Sequence, residues 1–165
     1  MFNLKQQQAA INQVTALGEI AIASEYLMVI EGYEHLKFLT KGFALPLASA
    51  EDKIDVFLAG GIVTHTSPMA KTDFSHGLTI TETVPGHALE LFEAVAYERS
   101  ITHRTKFNFT IYQGTVEEHV RKWPCISALL HGFEPPEIDG ENRTQIMQYA
   151  GSIAYHCFGS KKGNI

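Results

Sequence analysis

Apolar and polar residues alternate with a period of two in three separate segments of this chain, at 78–84, 107–112 and 146–158. Such alternation is typical of a half-buried β-strand. In the last segment one predicted face is formed by Met147, Tyr149, Ile153, Tyr155 and Cys157. At about 3.3 Å per residue this segment would span roughly 40 Å, which exceeds the length of a usual strand. The sequence therefore predicts a mainly β fold with at least one long strand.

Two other segments carry the spacing of an amphipathic helix. Residues 4–17 have an apolar face and precede Gly18, which is suited to end a helix. That face is formed by Leu4, Ile11, Val14 and Leu17. Residues 86–100 follow Pro85, and their core-facing positions recur every three or four residues, at Ala88, Leu91, Phe92, Val95 and Arg99. We expect a short N-terminal helix and one central helix.

Shorter β-prone runs complete the predicted elements. They cover 26–30, 36–46, 54–58, 62–66 and 116–123, and turn or loop residues separate them. We expect exposed loops over roughly 67–77 and over the acidic, proline-broken stretch 133–141. The pattern gives an α+β chain dominated by six to eight strands. It fits a single domain over 1–165, with residues 1–20 as an N-terminal helical extension.

Composition excludes several classes of protein. With 165 residues, of which 45% are hydrophobic and 19% charged, the chain suits one compact domain. The net charge is −5 and the basic residues are scattered, which argues against a nucleic-acid-binding surface. No apolar run approaches the roughly 18 residues of a membrane helix, and Met1 to Gln8 resembles no targeting signal. Because Cys125 and Cys157 suggest no disulfide framework, we expect a reducing compartment such as the cytoplasm.

The polar residues form no recognisable catalytic or metal-binding pattern. The eight histidines lack the close spacing of a zinc site on one element, although His65 could meet His76, and His119 could meet His156. Glu117 and Glu118 are adjacent, so on a strand they would point to opposite faces and could not act together as acid and base. We therefore expect neither an enzyme nor a bound cofactor or metal.

The order of elements carries more information than any single residue. A predicted hairpin leads into Lys41-Gly42-Phe43-Ala44-Leu45-Pro46, and the strand 107–112 leads into Arg121-Lys122-Trp123-Pro124. Near the C-terminus, Glu141-Asn142-Arg143-Thr144-Gln145 precedes the long strand 146–158. Over roughly residues 25–160 this arrangement resembles the tail-tube family of contractile-tailed bacteriophages, which is related to the inner-tube protein of type VI secretion.

The resemblance implies a β-sandwich or barrel of two packed antiparallel sheets flanked by one α-helix. It further implies a structural virion protein that forms hexameric rings, stacked into the inner tail tube through which DNA is ejected. Implied partners are other copies of the chain, the tail sheath protein, baseplate and tail-terminator proteins, and the tape-measure protein. DNA would pass through without specific binding. The expected location is the virion tail, assembled in the host cytoplasm, with helix 86–100 outside the barrel and its glutamates toward the sheath.

The resemblance also suggests which residues line the tube and which join its rings. Candidates for carboxylates facing the lumen are Glu82, Glu117 and Glu118, because fixed negative charge repels phosphate. The segments 42–56 and 65–77 are candidates for contacts between stacked rings, with Pro46, Glu51, His65, Pro68, Lys71 and Asp73 as the residues concerned. The alternative for both segments is that they are ordinary solvent-exposed loops.

Two alternative functions remain open at this point. One is a baseplate or tail-terminator or initiator protein of the same fold, used once per particle. The other, from a different class, is a small β-barrel enzyme or a metal- or ligand-binding protein that uses some of the histidines.

Overall fold

A computed structural model of the chain describes residues 3–98 and 106–165. In these ranges the α-helices are α1 (Leu4–Leu17) and α2 (His87–Glu93). The strands are β1 (Tyr26–Ile30), β2 (Thr40–Lys41), β3 (Ile54–Phe57), β4 (Val63–Thr66), β5 (Asp73–Thr81), β6 (Phe107–Gly114), β7 (His119–His131), β8 (Gln148–Cys157) and β9 (Lys161–Lys162). Two 3₁₀ helices, Ala23–Glu25 and Glu34–Phe38, and a π-helical turn, Ala94–Glu98, complete the regular structure.

Seven strands form one antiparallel sheet, in the order β1-β6-β7-β8-β5-β2, with β9 added beside the start of β7. The rings of Phe109 on β6 and Tyr155 on β8 lie 4.9 Å apart, although β7 separates their strands. The sheet therefore curls into a nearly closed barrel. The second sheet is the hairpin of β3 and β4. The predicted fold class, mainly β with a barrel-like antiparallel sheet and few helices, is confirmed.

The barrel encloses the core, and α2 covers one part of it. Ala88 and Leu91 of α2 are fully buried, and Phe92 packs edge-on against Phe133 and Tyr149 at 4.8 and 5.2 Å. The predicted orientation of this helix, apolar side inward, is confirmed. The predicted length of one α-helix over 86–100 is not confirmed. The α-helix ends at Glu93, and the chain continues as the π-helical turn Ala94–Glu98. Arg99, near the predicted end, lies outside the described residues.

The prediction of one strand over 36–46 is wrong. Residues Glu34–Phe38 form a 3₁₀ helix and only Thr40–Lys41 pairs with β5. The 3₁₀ helix exists because Leu36 is fully buried as its anchor and the Glu34 carboxylate accepts the backbone N–H of Gly32 at 2.9 Å. The predicted loop 67–77 is also too long, because β5 begins at Asp73 and pairs with β8 along its length.

The strand predicted over 116–123 is displaced and longer. β7 begins at His119 and runs to His131, across a β-bulge between Ile126 and Leu129. Ser127 takes a left-handed backbone conformation, with φ of 54°, and its N–H donates a hydrogen bond to the Asn108 side-chain oxygen at 3.2 Å. The bulge keeps Ala128 on the buried face. The long predicted strand 146–158 is largely confirmed as Gln148–Cys157, although Met147 lies outside it and is exposed.

Helix α1 occupies the range that the sequence predicted, but every one of its residues is exposed. Asn3 and Gln6 form a reciprocal capping box at its start, and Gly18 ends it. Its apolar residues therefore contact no core in the isolated chain. Among the described residues, no helix is both long and apolar enough to cross a membrane.

Candidate functional site

A hairpin arm, residues 49–71, projects from the barrel between β2 and β5. Its base is an antiparallel bridge between Ala50 and Ala70, flanked by backbone hydrogen bonds from Glu51 to Met69 and from Lys71 to Ser49 at 3.0 and 2.8 Å. Its tip turns through Gly60 and Gly61, with φ of 84° and 76°. Positive φ favours glycine at both positions.

The arm exposes apolar side chains that no other described part of the chain covers. Phe57 is 78% exposed and Ile62 is 61% exposed, and a further set is also exposed: Ile54, Leu58, Val63 and Met69. A two-stranded hairpin is at best marginally stable in water. Contiguous exposed apolar surface of this kind is typical of an interaction site. The arm is therefore suited to pack against another chain.

The arm also brings together most residues predicted to join stacked rings. His65 on β4 lies 2.8 Å from the Asp55 carboxylate on β3, which Lys53 also contacts at 3.0 Å. Glu51 and Pro68 lie close to the base of the arm and are exposed. Lys71, at the base, is half-buried with its Nζ 5.4 Å from the Phe74 ring centroid, and Asp73 opens β5.

Pro46 differs from the other predicted stacking residues because it is buried. It lines a small cavity beneath the base of the arm, together with Phe74 and Cys157. Pro46 has little exposed surface for a contact between rings, so its role in stacking stays a prediction.

Glu117 and Glu118 lie in the turn between β6 and β7, outside the strand to which they were assigned. Their side chains are exposed. The turn is closed by the Thr115 N–H donating to the Glu118 carbonyl at 2.8 Å, and by the Glu118 N–H donating to the Thr115 hydroxyl at 3.0 Å. The Asn164 side chain bonds the Glu117 carbonyl and accepts the N–H of His119. The C-terminal segment therefore holds this acidic turn in place.

Glu82 follows β5, and its side chain caps the N-terminal end of α2 from outside the helix. Its carboxylate accepts the backbone N–H groups of Ala88 and Leu89 at 3.0 and 2.9 Å. Burial by itself would raise the pKa of this carboxyl, but hydrogen bonds from backbone N–H groups and from the Tyr149 hydroxyl outweigh it and hold the pKa below its ordinary value.

The three predicted lumen carboxylates do not lie together. Strand register places Glu82 where Thr81 pairs with Gln148, at the start of β8. The turn that carries Glu117 and Glu118 lies near the opposite end of the sheet, where β1 begins beside Gln113. A position in a lumen stays a prediction for all three.

The outer edge of β1 has no partner strand among the described residues. The N–H of Glu31 donates to Asn108 on the β6 side. Because the direction of backbone groups alternates along a strand, the N–H and C=O of Met28 point away from β6, toward this edge. A groove beside the edge is lined by Tyr26, Phe43 and Leu45, with Ala21, Ala23 and Gly42. The edge is available for pairing with another chain.

The predicted histidine pairs are not among the contacts of the described residues. His65 bonds Asp55, and the His119 ring packs against Tyr112 at 5.0 Å. Cys125 and Cys157 are free, buried and directly opposite each other on β7 and β8. Burial, with the neighbouring Cys157, raises the pKa of the Cys125 thiol far above its ordinary value, so this thiol is a poor nucleophile. In the part of the chain that is described, one group could hold a metal ion, namely His35, His87 and Glu90.

No family model matches the sequence, and no curated protein matches it. Solved structures do match the fold. A chain of the sheath–tube complex of an extracellular contractile injection system (PVC), in the extended state, aligns with a TM-score of 0.56 and 16% identity, over 92% of this chain and 97% of that one.

Two further structures align in the same way. A chain of the PVC sheath/tube terminator gives a TM-score of 0.53 at 14% identity, covering 87% of this chain and 97% of that one. A chain of the anti-feeding prophage tube-terminating cap gives 0.50 at 14% identity, covering 87% and 90%. The chain therefore has the tail-tube-like fold of contractile systems, which confirms the resemblance at the level of the fold.

Proposed function

We propose that this chain is a structural subunit of a contractile tail or injection apparatus and has no enzymatic activity. In this proposal, copies assemble into hexameric rings, and the rings stack into the inner tube. The hairpin arm carries the proposal, since it is an apolar, two-stranded projection that no other part of the chain covers within residues 3–98 and 106–165. The likeness to chains from tube, terminator and cap assemblies supports the same reading.

The arm provides a means of joining one ring to the next. Transfer of an exposed aromatic side chain such as Phe57 into a contact with another copy contributes about 1.5–3 kcal/mol. The contacts of Asp55 with His65 and Lys53 are exposed and would add little. Stacking would therefore depend on the apolar side chains of the arm, with its charged residues fixing orientation.

The β1 edge provides a means of closing a ring. An exposed edge invites pairing with another chain, and a ring of copies leaves no edge unpaired. The outward N–H and C=O of Met28 would take part in such pairing. The adjacent groove at Tyr26 and Phe43 would receive side chains of the neighbouring copy. This interface is heterologous, because the edge of one copy contacts a different surface of the next.

The outer and inner faces of the tube would meet different partners. Glu90 and Glu93 on the exposed side of α2 are candidates to face the sheath protein. Glu117 and Glu118 are candidates to line the lumen, where their charge would let DNA pass without binding. Baseplate, tail-terminator and tape-measure proteins would contact the tube at its ends or inside it. The location would be the virion tail, after assembly in the host cytoplasm.

A tail-terminator or baseplate protein of the same fold is the second candidate. Two of the matched structures are a terminator and a terminating cap. Both candidates require ring-forming edges, but only a tube subunit must stack repeatedly on itself. Electron microscopy of the purified protein separates them, because long tubes support the tube subunit and single rings that never stack support the terminator. Particles that remain single chains would contradict both.

A further inference from the structure

Three side chains of the kinds that bind divalent metals converge where the 3₁₀ helix Glu34–Phe38 meets α2. The ligand atoms of His35, His87 and Glu90 all lie within 4.8 Å of one another. The Nδ1 of His87 is 3.6 Å from a carboxylate oxygen of Glu90, and the rings of His35 and His87 are 5.3 Å apart at 74°. We propose that these residues bind a divalent transition-metal ion, with Zn²⁺ as the best-suited ion.

The core fixes the backbone positions of the three ligands. Each ligand directly precedes a fully buried residue of its own element, and these anchors are Leu36, Ala88 and Leu91. His87 and Glu90 are three residues apart on α2, so they lie on one face of the helix. His35 is brought to that face by the short segment that follows β1. The convergence therefore follows from packing of the barrel.

The surroundings of the His87 Nδ1 support the same site. This atom is inaccessible to water and has no hydrogen-bond partner. Buried polar atoms without a partner are rare in folded proteins. The Glu90 carboxylate lies 3.6 Å from this atom, beyond hydrogen-bond distance, and the Thr83 hydroxyl accepts the backbone N–H of His87 instead. A metal ion would satisfy the lone pair of this nitrogen.

The donor set selects the class of ion. Two imidazole nitrogens with one carboxylate suit Zn²⁺ and its first-row neighbours, whereas Mg²⁺ and Ca²⁺ prefer oxygen ligands throughout. Bonds of about 2.0 Å in a tetrahedral site place ligand atoms about 3.3 Å apart. Ligand atoms at the 4.8 Å limit would have to close by about 1.5 Å, which the exposed side chains of His35 and Glu90 can do by rotation. Water would complete the coordination.

A metal ion at this site would have a structural effect. It would link the segment after β1 to α2, two elements that are distant in sequence, and both contribute anchors to the core. Because the three ligands meet only in the folded chain, binding would stabilise the fold. The metal site does not depend on ring formation, since each subunit carries all three ligands.

Zinc titration of the full-length protein, after removal of metal with a chelator, tests the proposal. Calorimetry is expected to give one Zn²⁺ per chain, and Zn²⁺ is expected to raise Tm. The variants His35→Gln and Glu90→Gln should each weaken binding at least about tenfold, the loss that removal of even an outer partner causes, and should reduce the rise in Tm at the same Zn²⁺ concentration. His65→Gln is the matched control, since His65 also faces a carboxylate but belongs to no group of three ligand residues in the described structure.

Three results would overturn the proposal. The first is the absence of one-to-one Zn²⁺ binding to the wild-type chain. The second is unchanged affinity in both His35→Gln and Glu90→Gln. The third is an equal loss in His65→Gln, which would show that Zn²⁺ binds exposed histidines without a defined site.

Discussion

Ala50 and Ala70 form an isolated antiparallel bridge that closes the base of the hairpin arm. The bridge joins two segments, 42–56 and 65–77, that the sequence analysis predicted separately as ring-stacking regions. Their central parts form one projecting unit, whose strands pair from Ile54 opposite Thr66 to Phe57 opposite Val63. The arm can therefore act as a single docking element.

Replacement of Phe57 by serine should weaken stacking without loss of the fold. The side chain is 78% exposed and lies outside the core. We expect an unchanged Tm and roughly 10- to 100-fold weaker ring association, from loss of about 1.5–3 kcal/mol of apolar contact. Sedimentation velocity measures the association. Ile138→Ser is the matched control, because Ile138 is 87% exposed and lies outside the arm. An equal weakening of ring association in this control would contradict a specific role of the arm in stacking.

Replacement of Glu82 by glutamine should destabilise the protein by about 1 kcal/mol, the usual loss for a helix cap. The pKa of the Glu82 carboxyl is lowered in the folded chain, so its contribution is present above the unfolded pKa and is lost as pH falls through the folded pKa. The difference in Tm between the two proteins should therefore be present at neutral pH and vanish in acid. A difference that is constant with pH would contradict the charged cap.

Replacement of Gly151 by alanine should destabilise the packing of the barrel by about 1–3 kcal/mol. An added Cβ would lie 2.5 Å from ring atoms of Phe133, and Phe133 in turn packs against Phe92. Urea denaturation measures the change. Gly140→Ala is the control, since a Cβ there has no neighbour within 4 Å. Equal stability of the two variants would show that the Phe133 ring can move aside without loss of stability.

Replacement of Glu117 or Glu118 by lysine should leave folding intact and slow DNA ejection. The residues are exposed in the β6–β7 turn, and positive charge in a lumen would attract phosphate. Ejection rates of particles assembled from each variant provide the measurement. Glu137→Lys, in the exposed loop after β7, is the charge-matched control. Unchanged ejection in both turn variants would show that these residues do not face the lumen.

Where alternation was regular, the sequence predicted the strands well. Phe107, Phe109 and Ile111 are buried on alternate positions of β6, as the pattern indicated. The strand predicted over 116–123 stopped before Pro124, but β7 continues through this proline. In the structure it lies between the part of β7 that pairs with β9 and the part that pairs with β8, where a missing N–H costs little.

Features that depend on tertiary contacts were beyond the sequence pattern. The run 36–46 is rich in apolar residues because Leu36 is buried in the core and Phe43 and Leu45 pack against it, although most of the run is not a strand. The capping role of Glu82 requires the turn that brings α2 back to β5. His35 and His87 are far apart in sequence, so their convergence has no local signal.

The proposed assembly is tested by the molecular mass of the purified chain in solution, measured over a wide range of concentrations. We expect assemblies that grow with concentration, beginning with rings of about 110 kDa, which is six times the 18.3 kDa chain. A folded species that stays at the mass of one chain at every concentration would contradict it.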